Sequence, residues 1–302
     1  MDISNSESLA DDTPADDTPE ESNAMALPFP PGHFYSPIVN IDDVKKYEEK
    51  IWPQMPVILG IDFNDTSHLE FLTDIFPRFI GDYDYPERLE ESADLNAFYT
   101  QNSQFSWLDS RTLFVLMRKL QPRRIIEVGS GFSSLLMADV NRRWLDGSCE
   151  ITCIEPYPRP FLAKGIDGIA KLIDLPVQEV SLDVFSALEA GDILFIDSSH
   201  VAKTGSDVNH VFFEILPRLK PGVMVHIHDI FLPHDYPKEW AIGDNRSWNE
   251  QYVLRALLMF SSAFTVVFGG SYALWRFPAR VADALALGGR VFGGASLWLR
   301  RN

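Results

Sequence analysis

Residues 124–299 alternate between short apolar segments and longer segments with helical periodicity, and this alternation limits the folds open to the chain. The apolar segments are rich in Ile and Val, as expected for strands that are buried on both faces of a sheet. Strands that alternate with helices form a parallel sheet joined by right-handed crossovers. The predicted strands are residues 124–128, 151–155, 177–180, 193–197, 223–228, 264–268 and 295–299. We therefore predict a doubly wound α/β fold with a mostly parallel, seven-stranded sheet and helices on both faces.

Two further segments precede the alternating region. Residues 1–24 are acidic, repeat the motif DDTP and contain few apolar residues, which predicts a disordered tail. Residues 25–104 begin with a stretch rich in Pro and aromatic residues and continue with helical patterns, the second of which should end at Pro77. We predict that this segment forms an N-terminal helical cap on a core domain at residues 105–302.

The charge and the cysteine content argue against several classes of function. The 302-residue chain has a formal net charge of −17 and a pI of about 4.7, and it contains no basic run. A nucleic-acid partner and an anionic membrane surface are therefore not expected. No apolar run approaches the roughly 20 residues of a membrane-spanning helix, and the acidic N-terminus is unlike a signal peptide. Cys149 and Cys153 are expected to stay reduced, which favours a cytoplasmic location.

Four of the predicted strands end with side chains that can bind a ligand. These side chains are Glu127, Glu155, Asp197 and the pair His228 and Asp229. In an open α/β sheet, ligands bind beyond the carboxyl ends of the strands, near the point where the strand order reverses. We therefore expect the functional site at this edge of the sheet.

The first predicted strand leads into the segment EVGSGFSS, at residues 127–134. Its glycines, Gly129 and Gly131, allow a tight turn and let a ligand lie against the backbone. Glu155, at the end of the next strand, can accept hydrogen bonds from both hydroxyls of a ribose. These features also suit a nicotinamide dinucleotide, but Ser134 replaces the third glycine of that pattern and Glu127 suits a cationic ligand better than a pyrophosphate.

The fourth and fifth predicted strands bring acidic residues and histidines to the same edge, and three interpretations are open. In the first, Asp197, His228 and Asp229 hold a divalent cation such as Mg²⁺, Mn²⁺ or Fe²⁺. In the second, no metal binds, and His200 is a general base that removes a proton from a hydroxyl or a nitrogen of the substrate. In the third, these side chains form a structural hydrogen-bond network. His226 lies deeper in its strand, so we expect it to be packed in the interior.

Two of these motifs resemble those of class I S-adenosylmethionine-dependent methyltransferases. EVGSGFSS resembles their first motif, and CIEPYP resembles the acidic motif of their second strand. Residues 196–233 resemble a catechol O-methyltransferase-like branch that is grouped as the methyltransferase 24 family. The resemblance implies a Rossmann-like fold and S-adenosylmethionine as the cofactor. It places Gly129 and Gly131 beside the methionine part of the cofactor, Glu127 near its amino group and Glu155 at its ribose.

The resemblance adds further residues to the site. It places Trp107 near the cofactor, where the side chain either covers the cofactor or packs in the core. Asp183, after the third predicted strand, is expected either near the adenine or on the surface, and we include Trp107, Asp183, Ser130, Ser133 and Asp197 in the cofactor-binding set. Metal-dependent relatives have an Asp after the fourth strand and an acidic or amide pair after the fifth.

Asp197 and Asp229 match the metal ligands of those relatives. His228 stands where a carboxylate is usual, which argues against Mg²⁺ in particular. Some sugar-modifying relatives have a proposed catalytic base three residues after the Asp, and His200 matches it.

The function that the resemblance implies is O-methylation of a small-molecule acceptor, with Asp197 and His200 as the catalytic residues. Relatives of this fold often form homodimers, so a homodimer is one expected arrangement. The sequence leaves the acceptor open. Two alternatives remain, a nicotinamide-dependent oxidoreductase and a non-catalytic binding protein on the same fold.

Overall fold

The computed structural model describes residues 28–88, 97–285 and 293–302, in two compact units, Met1–Asn40 and Ile41–Asn302. The described part of the first unit is built from turns, such as the one closed by a 3.1 Å hydrogen bond from the Gly32 N–H to the Ile38 carbonyl. The predicted acidic tail at residues 1–24 lies outside the described residues. The second unit contains the sheet and the helices.

The sheet has seven strands in the order β3-β2-β1-β4-β5-β7-β6, and β7 is antiparallel to both of its neighbours. The strands are β1 Arg124–Val128, β2 Glu150–Ile154, β3 Lys171–Ile173, β4 Ile193–Ile196, β5 Met224–Ile227, β6 Phe264–Gly269 and β7 Leu297–Arg301. The order reverses between β1 and β4, as in other Rossmann-like folds. The predicted fold class is therefore confirmed.

The predicted third strand, at residues 177–180, is wrong. Val177–Glu179 forms a 3-10 turn that follows Pro176, and the third strand is Lys171–Ile173. This strand lies at the edge of the sheet, pairs only with β2 and is no more than half-buried. Because a short edge strand needs few apolar residues, its sequence does not stand out.

Helices cover both faces of the sheet. The α-helices are α1 Ile41–Lys46, α2 Glu48–Ile51, α3 Asp65–Glu70, α4 Phe76–Phe79, α5 Trp107–Leu120, α6 Phe132–Trp144, α7 Pro160–Ala163, α8 Leu182–Ser186, α9 Asp207–His210, α10 Glu250–Phe260, α11 Gly270–Arg276 and α12 Pro278–Leu285. Successive strand residues belong to different hydrophobic clusters, as the pleat requires. Ile125 packs with α5 and α6 on one face, whereas Ile126 packs with α8 and α10 on the other.

The helical segment before the sheet does not end at Pro77, contrary to the prediction. Between α3 and α4 it forms a π-helical turn at Phe71–Ile75, and Pro77 lies in the first turn of α4. A proline has no N–H to donate to the helix. The π-helical turn in front of Pro77 has hydrogen bonds that span one residue more than those of an α-helix. In the parts of the chain that the structure describes, no helix is long and apolar enough to cross a membrane.

Candidate active site

A cavity of about 940 Å³ opens at the carboxyl ends of the strands, where the strand order reverses. It is lined by loop residues that follow β1, β2, β4 and β5 and by the beginning of α5. The predicted site residues that line it are Trp107, Gly129, Ser130, Gly131, Ser133, Glu155, Asp197, His200, His228 and Asp229. The structure therefore brings these residues together, and it leaves Glu127 and Asp183 outside the lining.

Gly129 is required by the packing of the protein itself. Its φ of +80° lies in the left-handed region, and a Cβ at this position would lie 1.8 Å from the carbonyl oxygen of Asp197. Its N–H donates a 3.0 Å hydrogen bond to the carbonyl of Ile154, at the end of β2. Gly129 thus joins the loop after β1 to the ends of the strands on both sides.

Gly131 has no comparable packing reason. A Cβ added here would meet only the Gln104 Oε1 atom, at 3.8 Å, and Gly131 lines the cavity. The helix α6 begins at the next residue, so its N-terminal N–H groups are close by. The absence of a side chain at Gly131 therefore leaves room for a ligand and not for a neighbouring part of the protein.

Glu155 reaches the cavity from the end of β2. Its Oε2 atom accepts a 3.1 Å hydrogen bond from the Ser130 N–H, and its Oε1 atom accepts one of 2.9 Å from the Tyr157 N–H. These bonds orient the carboxylate, and each oxygen keeps a further lone pair. The Ser130 hydroxyl oxygen is buried without a hydrogen-bond partner in the structure. This side of the cavity therefore offers polar groups to a ligand with hydroxyls.

Glu127 lies beneath the glycine loop and is fully buried. Its carboxylate accepts 2.5 Å hydrogen bonds from the hydroxyls of Ser133 and Ser134 and a weaker one from the Cys153 thiol. Burial raises the pKa of Glu127 to about 7, and these hydrogen bonds oppose the rise. Glu127 thus supports the loop from below, and it does not face the cavity directly as the resemblance implied.

Asp183 is exposed in α8 and does not line the cavity. Its N–H donates a 3.3 Å hydrogen bond to the Ser181 hydroxyl at the start of that helix. The placement near an adenine depended on a third strand at residues 177–180. Since the third strand ends earlier, at Ile173, Asp183 is not at a strand end.

Strained backbone is concentrated around this cavity. Among the residues that the structure describes, seven that are not glycine have a positive φ, and Trp107, His200 and Asp229 are three of them, at +50°, +60° and +55°. All three line the cavity. A positive φ is uncommon for such residues and is often retained at functional sites.

The loops after β4 and β5 form a cluster of carboxylates and imidazoles. The His200 Nε2 atom lies 3.4 Å from Asp197 Oδ1 and 3.4 Å from Asp229 Oδ2. The donor atoms of these three residues all lie within 4.8 Å of one another. The cluster therefore has the geometry of a cation site with two carboxylates and one imidazole.

The predicted metal ligand His228 lies beside this three-residue set. Its Nδ1 atom lies 3.4 Å from Asp197 Oδ1 and 3.6 Å from Asp229 Oδ1, and its Nε2 atom lies 3.5 Å from Asp109 Oδ2. His200 takes the central place because its positive φ turns the ring towards both aspartates. His226 lies deeper, stacked on Phe195 at 3.7 Å.

The N-terminus of α10 holds His200 from two directions. The N–H groups of Asn249 and Glu250 both donate to the His200 carbonyl, at 3.1 Å. The Glu250 Oε2 atom, which is fully buried, lies 2.8 Å from His200 Nδ1. Nδ1 therefore donates to Glu250, and this tautomer directs Nε2 towards Asp197 and Asp229.

The electrostatics of the cluster favour a positive charge at its centre. Burial alone would lower the pKa of His200, but the carboxylates of Asp197 and Glu250 raise it to about 10. Burial alone would raise the pKa of Asp197, but His228 and His200 outweigh this effect and lower it. A protonated His200 can neither accept a proton nor bind a metal ion, so both interpretations require that the ring first loses this proton.

Several cavity residues were not identified as site residues from the sequence. Asp109, on α5, accepts hydrogen bonds from the N–H groups of Ala295 and Ser296. Trp240, Arg246 and Trp248 line the cavity from the segment between β5 and α10. The only sequence signal was the high content of aromatic and charged residues in that segment, which does not show which of them face the site.

Comparisons with known proteins agree with this architecture. Residues 126–230 match a family model described as "Methyltransferase domain". An uncharacterized protein from Archaeoglobus fulgidus is 44% identical over 165 residues, which cover 53% of this chain and 74% of that protein.

The chain is also similar to solved structures, at low identity. An O-methyltransferase from Bacillus cereus in complex with S-adenosylhomocysteine is 14% identical, with 87% of this chain and 100% of that chain covered and a TM-score of 0.39. An O-methyltransferase of tomaymycin synthesis from Streptomyces achromogenes, in complex with S-adenosylmethionine, is 16% identical, with 86% and 95% covered and a TM-score of 0.36. At TM-scores this low, the similarity to these structures does not assign a function to the chain.

Proposed function

Because this chain is a class I S-adenosylmethionine-dependent methyltransferase of the family whose model matches residues 126–230, we propose that it methylates an oxygen of a small-molecule acceptor with the help of a divalent cation. The observation that carries the proposal is the joint location of two sets of groups in one cavity. The glycine loop and Glu155 lie on one side, and the cluster of Asp197, His200 and Asp229 lies on the other.

The first set of groups suits the cofactor. Gly131 leaves space beside the N-terminus of α6, and the oriented carboxylate of Glu155 can accept the two hydroxyls of a ribose. The acidic surroundings also favour a sulfonium, which carries a positive charge. Trp107 lies at the edge of the same cavity, in a position to cover the bound cofactor.

The second set of groups fits a metal ion. Two carboxylates and an imidazole converge, and the other nitrogen of the imidazole donates to a buried carboxylate, which is the usual outer contact of a metal-binding histidine. An imidazole ligand suits Mn²⁺ or Fe²⁺ better than Mg²⁺, which prefers oxygen. Asp197, His200 and Asp229 would hold the ion, and His228 would lie beside it.

The chemistry is a direct displacement at the methyl carbon. A bound divalent cation would act as a Lewis acid that lowers the pKa of an acceptor hydroxyl. The acceptor oxygen forms a bond to the methyl carbon while the carbon–sulfur bond breaks, and the hydroxyl proton is released. The protein residues mainly align the two reactants in one cavity, where the effective concentration is high.

His200 as a general base is the second candidate. Both roles need a neutral nitrogen on the imidazole, and the carboxylates around His200 raise its pKa to about 10, so the ring must lose a proton in either case. We favour the ligand role because the Nε2 atom of His200 converges with the carboxylates of Asp197 and Asp229. The two roles differ in one measurable respect, because a base is dispensable for metal binding and a ligand is not.

The proposal is tested by calorimetric titration of chelator-treated protein with S-adenosylhomocysteine and, separately, with Mn²⁺. We expect micromolar binding of S-adenosylhomocysteine that Glu155→Gln removes and Asp229→Asn retains. We expect Mn²⁺ binding with the opposite pattern in the two variants. Each variant is thus the control for the other.

The transferred group is identified with ¹³C-methyl-labelled cofactor and a panel of hydroxylated small molecules. The carbon-13 shift of the product distinguishes a methyl on oxygen from one on nitrogen or carbon. A product methylated on nitrogen would contradict the proposal, and so would an absence of cofactor binding. Tight cofactor binding with no product from the whole panel would favour a non-catalytic binding protein.

A further inference from the structure

A series of aromatic side chains, called here the aromatic wall, lines the cavity next to the cation cluster. Trp248 contacts His200, with 4.4 Å between the ring centroids, and Trp240 meets Trp248 at 5.3 Å and an interplanar angle of 76°. Phe231 meets Trp240 at 5.2 Å and 86°. All of these rings line the cavity. The wall therefore presents flat apolar faces beside the groups that would activate the acceptor.

Arg246 lies against the two tryptophans of this wall. Its guanidinium carbon lies 4.4 Å from the centroid of the Trp240 ring and 5.0 Å from that of Trp248. The backbone N–H of Arg246 donates a 2.8 Å hydrogen bond to the backbone carbonyl of Trp240, and this bond closes the loop that carries the two tryptophans. The two rings hold the guanidinium in place, while 37% of the side chain remains exposed.

The described lining of the cavity contains two arginines and no lysine. Arg159 lies over the Phe132 ring beside the cofactor loop, whereas Arg246 lies over the two tryptophans of the aromatic wall. Asp244 contacts one guanidinium nitrogen, at 3.0 Å, and the guanidinium has five N–H groups to donate.

We propose that Arg246 is a specificity-determining residue that binds a carboxylate of a flat acceptor, whose hydroxyl is directed to the cation cluster while its ring lies against Trp248. This inference rests on the proposed methyl transfer, since it assigns the acceptor of the same site. Trp248 contacts both His200 and Arg246, so an acceptor that lies on this ring is close to both residues.

A carboxylate suits this place better than a phosphate. A guanidinium binds either group through two parallel hydrogen bonds. However, Arg246 is already paired with Asp244, and the chain has a net charge of −17, so a dianion is repelled more strongly than a monoanion. A hydroxylated aromatic acid therefore fits the wall, the charge and the cluster together.

The test compares 4-hydroxybenzoate with 4-hydroxybenzamide, which have nearly the same shape and differ in charge. Binding is measured by calorimetry in the presence of saturating S-adenosylhomocysteine. We expect the acid to bind roughly 10- to 100-fold more tightly than the amide, because charge-assisted hydrogen bonds are lost in the amide. Arg246→Met should remove this difference, and Arg246→Lys should restore part of it.

Arg218→Met is the matched control, because Arg218 is an exposed arginine that pairs with Glu214 away from the cavity. It should keep the preference for the acid. Trp248→Leu should weaken the acid and the amide alike, since both rings lie on this tryptophan. Binding of S-adenosylhomocysteine should persist in every variant, which reports that the fold is intact.

Equal binding of the acid and the amide to the unaltered protein would overturn the inference, and so would binding of neither probe. A preference that persists in Arg246→Met would overturn it as well. A failure of S-adenosylhomocysteine to bind would instead count against the proposed function, so the two failures are distinguishable.

Discussion

The two glycines of the cofactor loop should respond in different ways to the same substitution. Gly129→Ala places a methyl group 1.8 Å from the Asp197 carbonyl oxygen, on a backbone with a φ of +80°. Gly131→Ala places a methyl group in the cavity, with its closest protein atom 3.8 Å away. The first change should therefore destabilise the fold, whereas the second should impair ligand binding alone.

The size of the first effect follows from two costs. A non-glycine residue in the left-handed region costs about 1–2 kcal/mol, and forcing a group into a packed position costs about 1–3 kcal/mol. The expected loss in the free energy of unfolding is therefore about 2–5 kcal/mol. For a domain of this size, 1 kcal/mol corresponds to a shift in Tm of about 2–4 °C. Gly129→Ala should thus lower the Tm by roughly 5–15 °C.

The assay is thermal and urea unfolding of both variants, together with titration of S-adenosylhomocysteine. Gly131→Ala should keep the free energy of unfolding within about 1 kcal/mol of the unaltered protein and lose at least about tenfold in affinity. An unchanged Tm for Gly129→Ala would refute the close contact between the two loops. An equal loss of stability in Gly131→Ala would refute the conclusion that this glycine serves the ligand.

Other substitutions test the remaining parts of the site. Glu250→Gln should weaken Mn²⁺ binding by about 10- to 100-fold, because His200 loses its charged partner, and an unchanged affinity in calorimetry would contradict this role. Glu127→Gln should remove a pH dependence of stability: burial raises the pKa of Glu127 to about 7, so its contribution is complete below the unfolded value near 4.5 and is lost as the pH rises through 7. The loss is about 3 kcal/mol, and urea unfolding at pH 5 and pH 8.5 should show it in the unaltered protein but not in the variant. Asp109→Leu should lower the Tm, because the N–H groups of Ala295 and Ser296 lose their acceptor; a Tm equal to that of the unaltered protein would show that other groups replace it.

Local sequence patterns were sufficient to predict six of the seven strands and the cofactor loop, but not the edge strand β3. The strand β1 and the two glycines after it lie within eight residues of one another, so the apolar pattern of the strand and the turn preference of the glycines are both visible in the local sequence. Glu155 and Asp197 could be placed at one edge because the ends of parallel strands meet there whatever their distance in the chain.

The detailed geometry of the cation cluster could not be predicted in the same way. His228 was the expected imidazole because neighbouring parallel strands place Asp197 beside His228 and Asp229. In the structure His200 also lies next to both aspartates, and its ring contacts Glu250, which is 50 residues further on. Side-chain direction at loop residues depends on such distant contacts, and the sequence contains no periodic signal for them.

The sequence by itself thus determined which strands form the sheet's central part, where the glycine turn lies and which polar residues stand at the strand ends, since these depend on neighbouring residues. Only the tertiary structure decided that Glu127 lies under the loop, that Asp183 lies outside the cavity and that Arg246 lies between two tryptophans. These outcomes depend on which residues that are far apart in the chain pack against one another. Because protein interiors are closely packed, those contacts are determined by the folded structure as a whole and not by neighbouring residues in the sequence.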